Sequence, residues 1–434
     1  MDNQFNFGYF CSNLPPMDAL IKSAKIISPN SPFHLQEKDI LIQNGIIAKI
    51  GDNLTGLDNI IEEKGLFVSD GWVDLFSVLR EPGNEHQDSI ENLLASAAKG
   101  GFTSVLGISG TNPPLDNKAQ IQFVKNMSLN NVVNLLPVGT ITEKQDGKEI
   151  TEMYDMHLSG AVAFSDGKNH LKNPELLKRA LLYTKPFGGK IICYCEDTTV
   201  ANGGMVNEGE VAATLGMKVR PALAEELAIT RDLYIAEYTN SPIHITGVSS
   251  KKSVEIIKEA KLKGIEVTCD TNILNIYFTD EATTSFDTNF KVLPPLRTKR
   301  DQDALIQGLK EGTIDAVSSG HTPKDIETKF CEFDNADFGA ISLEALFGAL
   351  NKVLENRFTV EEIIQLISSR PASVMGLKSS ISEGEYANLT LFNTESVEFS
   401  KASINCLSKN SPFIGETLKG NVVGVINNDQ IKLN

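Results

Sequence analysis

The stretch GWVDLFSVLREPG, residues 71–83, decides how this chain is read. It has the form of a first barrel strand, WVDLFSV, that leaves through the turn Leu79-Arg80-Glu81-Pro82-Gly83. Side chains two apart on a strand share a face, so Asp74, Phe76 and Val78 point the same way. A carboxylate followed by two imidazoles at that spacing could clasp a divalent metal. A carboxylate followed by a phenyl ring and an isopropyl group cannot.

Outward from this strand the centre of the chain alternates apolar runs with amphipathic helices. Strands are expected at 72–78, 102–108, 132–138, 160–165, 190–195, 242–248, 264–269 and 313–318. Helices are expected at about 87–99, 116–127, 149–157, 173–185, 220–239, 250–263, 301–312 and 341–356. Eight strand–helix units with nearly continuous apolar strands predict an α/β fold, a parallel (β/α)8 barrel of the TIM type. An open doubly wound sheet is the rival, but no glycine-rich phosphate loop opens any of these helices. The stretch 271–300 exceeds ordinary loop length, and its place after the seventh strand suggests a cover over the mouth.

Both ends of the chain have a different style. Short β-rich runs separated by Asn44-Gly45 and Gly51-Asp52-Asn53 fill 19–67, and ANLTLFN (387–393) and NVVGVINNDQIKLN (421–434) return to it. The economical reading is one small β-sandwich built from 17–67 and 381–434, flanking a barrel at 68–380. Residues 1–16 match no periodic pattern and read as a loose tail or an extended start before Met17.

With 434 residues and 41% hydrophobic content, the chain can bury a large core. Its formal charge of −16 argues against nucleic acid and anionic membranes as partners. No apolar run approaches the roughly 20 residues of a membrane span. Six scattered cysteines without paired CxxC spacing read as reduced thiols in the cytoplasm.

Barrel enzymes place working residues at the C-terminal ends of their strands. Those ends supply Asp166, Glu196, Asp197, Asp270 and His321 as the only residues able to compete for a metal, all but two on different strands. The six histidines stand isolated, with no HxH or HxxxH pair, and read as surface or structural residues. No GxSxG elbow exists, and Cys193 and Cys195 read as buried strand thiols. Arg80, just past the first strand, is placed to clamp a substrate carboxylate bidentately. A salt bridge to Glu81 or Asp74 that fixes the turn is the equal alternative.

Taken together these residues resemble the dihydroorotases of the amidohydrolase superfamily, most closely the longer class found beside aspartate carbamoyltransferase. The similarity runs from Met17 through LREPG (79–83), GGFTSV (100–105), GAVAFSDG (160–167), RPALAEE (220–226), HITGVSS (244–250), PPLR (294–297), EGEYANLTLFN (383–393) and SPFIGETLKG (411–420). The resemblance implies a metal-dependent barrel that opens or closes the cyclic amide of dihydroorotate, with a small β-sandwich.

The departures are equally specific. The family's HxH pair is Phe76 and Val78 here, and the histidine before a Glu-Asp pair on strand five is Tyr194. The strand-six histidine is Gly247, and the aspartate before His-x-Pro, metal ligand and general base, is Gly320. Asparagines expected near the end of strand two and before PPLR are Gly110 and Leu293. Arg80, Asp166 and His321 match positions of the family's site, and Arg80 and His321 are the substrate-binding candidates. Such a site is expected to hold no metal and no catalytic residue.

Three readings stay open at this point. The favoured one is a non-catalytic homologue acting as a structural or regulatory partner, as a homodimer or with aspartate carbamoyltransferase or another pyrimidine-pathway enzyme. The second is an active cyclic amidohydrolase with zinc on a reorganised set of Asp166, Glu196, Asp197 and His321. The third is a ligand-binding module with Arg80 as carboxylate anchor.

Overall fold

The computed structural model describes residues 17–378 and 380–434; the tail read over 1–16 lies outside the described residues. Eight parallel strands form the central barrel: Trp72–Leu79, Phe102–Ser109, Asn134–Gly139, Ala163–Phe164, Lys190–Tyr194, Ile243–Thr246, Val267–Asn272 and Ala316–Ser318. They follow one another in chain order round the sheet. The ring closes where Ser77 bridges His321 and the Val78 amide donates to the His321 carbonyl at 2.9 Å. All eight residues of the first strand are buried, as its near-continuous apolar run predicts.

Helices on the outside begin where polar residues take up free backbone amides. Ser89, Asn117, Asn173 and Ser250 each accept from the first turn of the helices Ile90–Lys99, Lys118–Met127, Pro174–Thr184 and Lys251–Leu262. Thr298 and Asp301 form a reciprocal capping box at the head of Lys299–Glu311. The stretch 271–300 folds into short helical turns. Arg297 pins its end by donating to Asn207 and to the Arg220 carbonyl, each at 2.9 Å.

The second domain is mostly sheet and joins both chain ends. Phe67–Asp70 pairs antiparallel with Leu389–Glu398 and parallel with Ala19–Ile27. From there the sheet extends to Ile46–Gly51 on one side and Gln430–Leu433 on the other. It has its own apolar cluster, including Ile21, Ile26, Ile40, Ile42, Val68 and Leu391. No helix among the described residues is long and apolar enough to cross a membrane.

Trp72 sits where barrel and sheet domain meet. It is fully buried, its indole donates to Ser69 Oγ at 2.9 Å, and its ring lies 4.8 Å from Phe347 and 5.5 Å from Phe392. Truncating a buried aromatic in such a cluster costs about 3–5 kcal/mol. Trp72→Ala is therefore expected to lose about that much stability in urea denaturation followed by circular dichroism. A loss below about 1 kcal/mol would show that this seam is not a shared core.

Candidate functional site at the barrel mouth

The first strand brings Asp74, Phe76 and Val78 to the barrel interior, and their environments differ sharply. Asp74 accepts from Ser77 Oγ at 2.6 Å and from the amide and hydroxyl of Ser319 at 2.7 and 2.8 Å. Burial raises its pKa against those donors. Phe76 and Val78 join an apolar cluster with Leu106, Ile108, Val138 and Ala316. Carbon thus fills the positions from which imidazoles would reach a metal.

The glycines at the mouth have been absorbed into this packing. A Cβ at position 110 would meet Val78 Cγ1 at 2.4 Å, so the valine occupies space that a larger residue there would need. Gly320 has φ of +64°, and a Cβ on it would lie 2.9 Å from Asn272 Cγ. A carboxylate at 320 would need both a strained backbone and a displaced asparagine.

The remaining acids are engaged with the protein. Asp166 Oδ1 accepts from the Ile141 and Thr142 amides at 2.8 and 3.0 Å, and Oδ2 from the Thr142 hydroxyl. Burial still pushes this carboxyl up to about 6. Glu196 makes a buried ion pair with Arg220, whose guanidinium lies 5.3 Å from the Phe338 ring centre. Asp197 caps the turn Thr198–Ala201. Asp270 accepts from Ser318 Oγ at 2.7 Å and meets His244 Nε2 at 2.9 Å, which makes His244 a structural histidine inside the barrel. Tyr194 is buried, and its carbonyl faces His170 Nδ1 at 3.2 Å. The void beside Asp166, His170 and Tyr194 measures about 10 Å³, no more than one water needs. A cavity of about 540 Å³ opens instead at the opposite end of the barrel, beside Lys190, Lys261 and Arg370.

A cation stands at the mouth. The Lys168 ammonium lies 5.5 Å from the centre of the Phe76 ring and 3.2 Å from Thr322 Oγ1. Burial of this ammonium, with Arg80, Lys324 and Lys329 nearby, pulls it down to about 7, although the residue as a whole is partly exposed. Sequence reasoning passed over Lys168; its one signal is the position directly after the Ser-Asp-Gly turn of the fourth strand. Arg80 Nε donates to the Pro323 carbonyl at 3.1 Å, and Nη1 reaches the Gly110 carbonyl at 3.5 Å. Glu81 instead caps the helix amide of Ile90, and Asp74 is held by serines. Arg80 thus has no carboxylate within ion-pair distance among the described residues. His321 is fully buried, with Nδ1 3.4 Å from the amides of Ser342 and Leu343, and Nε2 without a hydrogen-bond partner.

This donor set does not fit a divalent metal at the mouth. Such a site needs several converging nitrogen or oxygen ligands and an open position for water. The mouth offers apolar carbon, glycine, acids already saturated by amides or arginine, and an ammonium that repels a second cation. Asp166→Ala is expected to strand the donors of Ile141 and Thr142 and to cost about 3 kcal/mol in urea denaturation, with no change in bound metal. A stability unchanged by the substitution, together with lost metal, would identify Asp166 as a ligand instead.

Comparison with known proteins agrees with this architecture. Residues 65–253 match the family model described as dihydro-orotase-like. The dihydroorotase of Caldicellulosiruptor saccharolyticus is 40% identical over 421 residues, covering 95% of this chain and 97% of that protein. The dihydroorotase of Thermoanaerobacter sp. is 38% identical over 399 residues, covering 91% and 93%. Among solved structures, the L-hydantoinase (dihydropyrimidinase) of Arthrobacter aurescens superposes with a TM-score of 0.84 over 96% of both chains at 23% identity, a likeness of fold. Similarity of this extent along nearly the whole chain places the protein in the dihydroorotase family.

Proposed function

We propose that this protein is a non-catalytic dihydroorotase homologue of pyrimidine biosynthesis, working as a structural or regulatory partner. The observation that carries the reading is the mouth itself. Phe76, Val78, Gly247 and Gly320 bring no donor there, Tyr194 replaces an imidazole, and Lys168 brings a positive charge. Opening an unactivated cyclic amide near neutral pH requires water activated to hydroxide and a polarised carbonyl, each worth several kcal/mol. It also requires a general base within reach of that water. The acids at the mouth, whose hydrogen bonds are already satisfied, meet neither requirement, and Lys168 and His321 do not by themselves assemble a metal site. A barrel so altered still folds well, because apolar groups have replaced polar ones that would have needed partners.

The fold around that mouth is kept whole, which supports selection for a surface or an assembly. The partner is a second copy of the chain, or aspartate carbamoyltransferase or another enzyme of the pathway. Supplied with zinc, cobalt or manganese, the purified protein is expected to turn over neither dihydroorotate nor carbamoyl aspartate above the uncatalysed rate. Turnover that a chelator abolishes would defeat the reading. Gel filtration with the transcarbamoylase of the same organism is expected to give a common peak; a lone monomer in every mixture would remove the partner role.

A second reading is favoured by one observation: Arg80 and Lys168 share the mouth, and neither has a carboxylate within ion-pair distance among the described residues. This pair would hold a ligand carboxylate. Lys168 must be protonated to do so, and with its ammonium near 7 the affinity falls as pH rises. In thermal-shift titrations with orotate, apparent affinity is expected to drop about tenfold between pH 6 and pH 8. Lys168→Met should flatten that dependence, and Arg80→Ala should abolish the shift. No orotate-dependent shift at either pH would eliminate this reading.

A further inference from the structure

A second cluster of chemistry lies beneath the mouth, built from three segments far apart in the chain. Asp88 precedes the first barrel helix, His321 follows the last barrel strand, and Cys406 lies between the strands Leu389–Glu398 and Thr417–Asn427 of the sheet domain. One ligand atom from each lies within 4.8 Å of the others, and all three residues are buried. Asp88, His321 and Cys406 are respectively 2%, 1% and 0% exposed.

Two of these residues are incompletely satisfied. Asp88 Oδ1 accepts from the Leu407 amide at 3.1 Å, but Oδ2 has no well-formed hydrogen bond. His321 Nε2 has none either. Cys406 forms no disulfide, and its thiol is a weak hydrogen-bond donor to the Asp88 carboxyl. A buried polar atom is normally paired, and this cluster holds two that are not fully satisfied. Asp166 and Asp74, by contrast, have a donor on each carboxyl oxygen, although a few other buried side chains, Gln87 and Thr246 among them, also leave a polar atom unpaired.

We propose that Asp88, His321 and Cys406 bind one zinc-type divalent cation, a buried site with three protein ligands that joins the barrel's first and last loops to the sheet domain. The donor types select the ion. A thiolate with an imidazole and a carboxylate suits borderline-soft zinc and excludes calcium and magnesium, which take oxygen ligands. The spacing is close to what is needed. The centre of a triangle of that size is about 2.8 Å from each corner, against about 2.0–2.3 Å for zinc bonds, so a contraction of about half an ångström completes the site. Binding releases the thiol proton to solvent and shifts the ring proton of His321 from Nε2 to Nδ1. The amides of Ser342 and Leu343, which donate to Nδ1 at 3.4 Å, then lose that acceptor, so the metal bonds must outweigh the loss of two long hydrogen bonds. The ion carries two positive charges against one carboxylate and one thiolate, which leaves the buried site neutral. Three protein ligands leave the fourth position to a water, and the burial of all three residues keeps substrate from it, so the ion clips the fold.

The full chain is titrated with zinc after chelation and dialysis, and separately with cobalt. The proposal expects one ion per chain, a rise in melting temperature, and a thiolate-to-cobalt charge-transfer band in the near ultraviolet. Cys406→Ser should lose the band and the melting shift while retaining the native circular dichroism spectrum. Asp88→Asn should weaken binding at least tenfold. Cys331→Ser, which removes the exposed thiol, should change neither readout, and Asp166→Asn at the mouth should leave the stoichiometry at one. No binding in the unmodified chain would show that the Leu407 amide and the Cys406 thiol suffice for the Asp88 carboxyl and would overturn the proposal. Binding that survives Cys406→Ser but is lost in Asp166→Asn would overturn it too, and would count against the non-catalytic reading as well.

Discussion

A buried carboxyl group closes this barrel. Asp74 reaches across the seam between the first and last strands and accepts from both the amide and the hydroxyl of Ser319, while Ser77 donates to it from its own strand. Beside it Ser77 and His321 make the bridge that completes the ring. These bonds place every residue that matters at the mouth. They orient Phe76 and Val78 inward on one strand and deliver Gly320 and His321 on the other. A carboxyl group that accepts from three neutral donors has its oxygens served without a metal, and the seam supplies those donors from the protein itself.

The replacements around the mouth form one consistent repacking. Val78 takes the space that Gly110 leaves open, Asn272 closes against Gly320, and Lys168 lays its ammonium against the Phe76 ring. Each change makes the next tolerable, since an isolated histidine or aspartate returned to this setting would be buried without its partners. The acids that survive have become structural. Asp166 organises the loop that begins at Ile141, and Glu196 anchors Arg220 beneath Phe338. The family's architecture has thus been retained, with apolar side chains and internally satisfied acids lining its mouth.

The barrel was legible because buried parallel strands are apolar runs that end in turns, and eight such runs alternate with capped helices. The fourth strand was the least legible. Only Ala163–Phe164 pairs within the expected 160–165, because Gly160 and the turn after Ser165 leave little extended backbone between them. What was readable at Phe76, Val78, Gly247 and Gly320 was residue type, since none of these side chains can ligate a metal. Partnerships were not readable. Arg80 stands between Glu81 and Asp74 in sequence neighbourhood, yet it donates to carbonyls of Pro323 and Gly110. Asp88, His321 and Cys406 are separated by long stretches of chain, and no spacing rule joins them; only the fold does. Lys168 was hidden for a related reason, since a lysine after a turn reads as solvated until the opposite strand places Phe76 beneath it.

The central claim is that the barrel mouth of this dihydroorotase homologue offers no seat for a divalent cation. Anomalous diffraction at the zinc absorption edge, from crystals equilibrated with zinc, locates every bound ion directly. The account predicts no anomalous peak among Phe76, Asp166, Lys168 and Glu196. A peak there, held by two or more protein atoms, would contradict it.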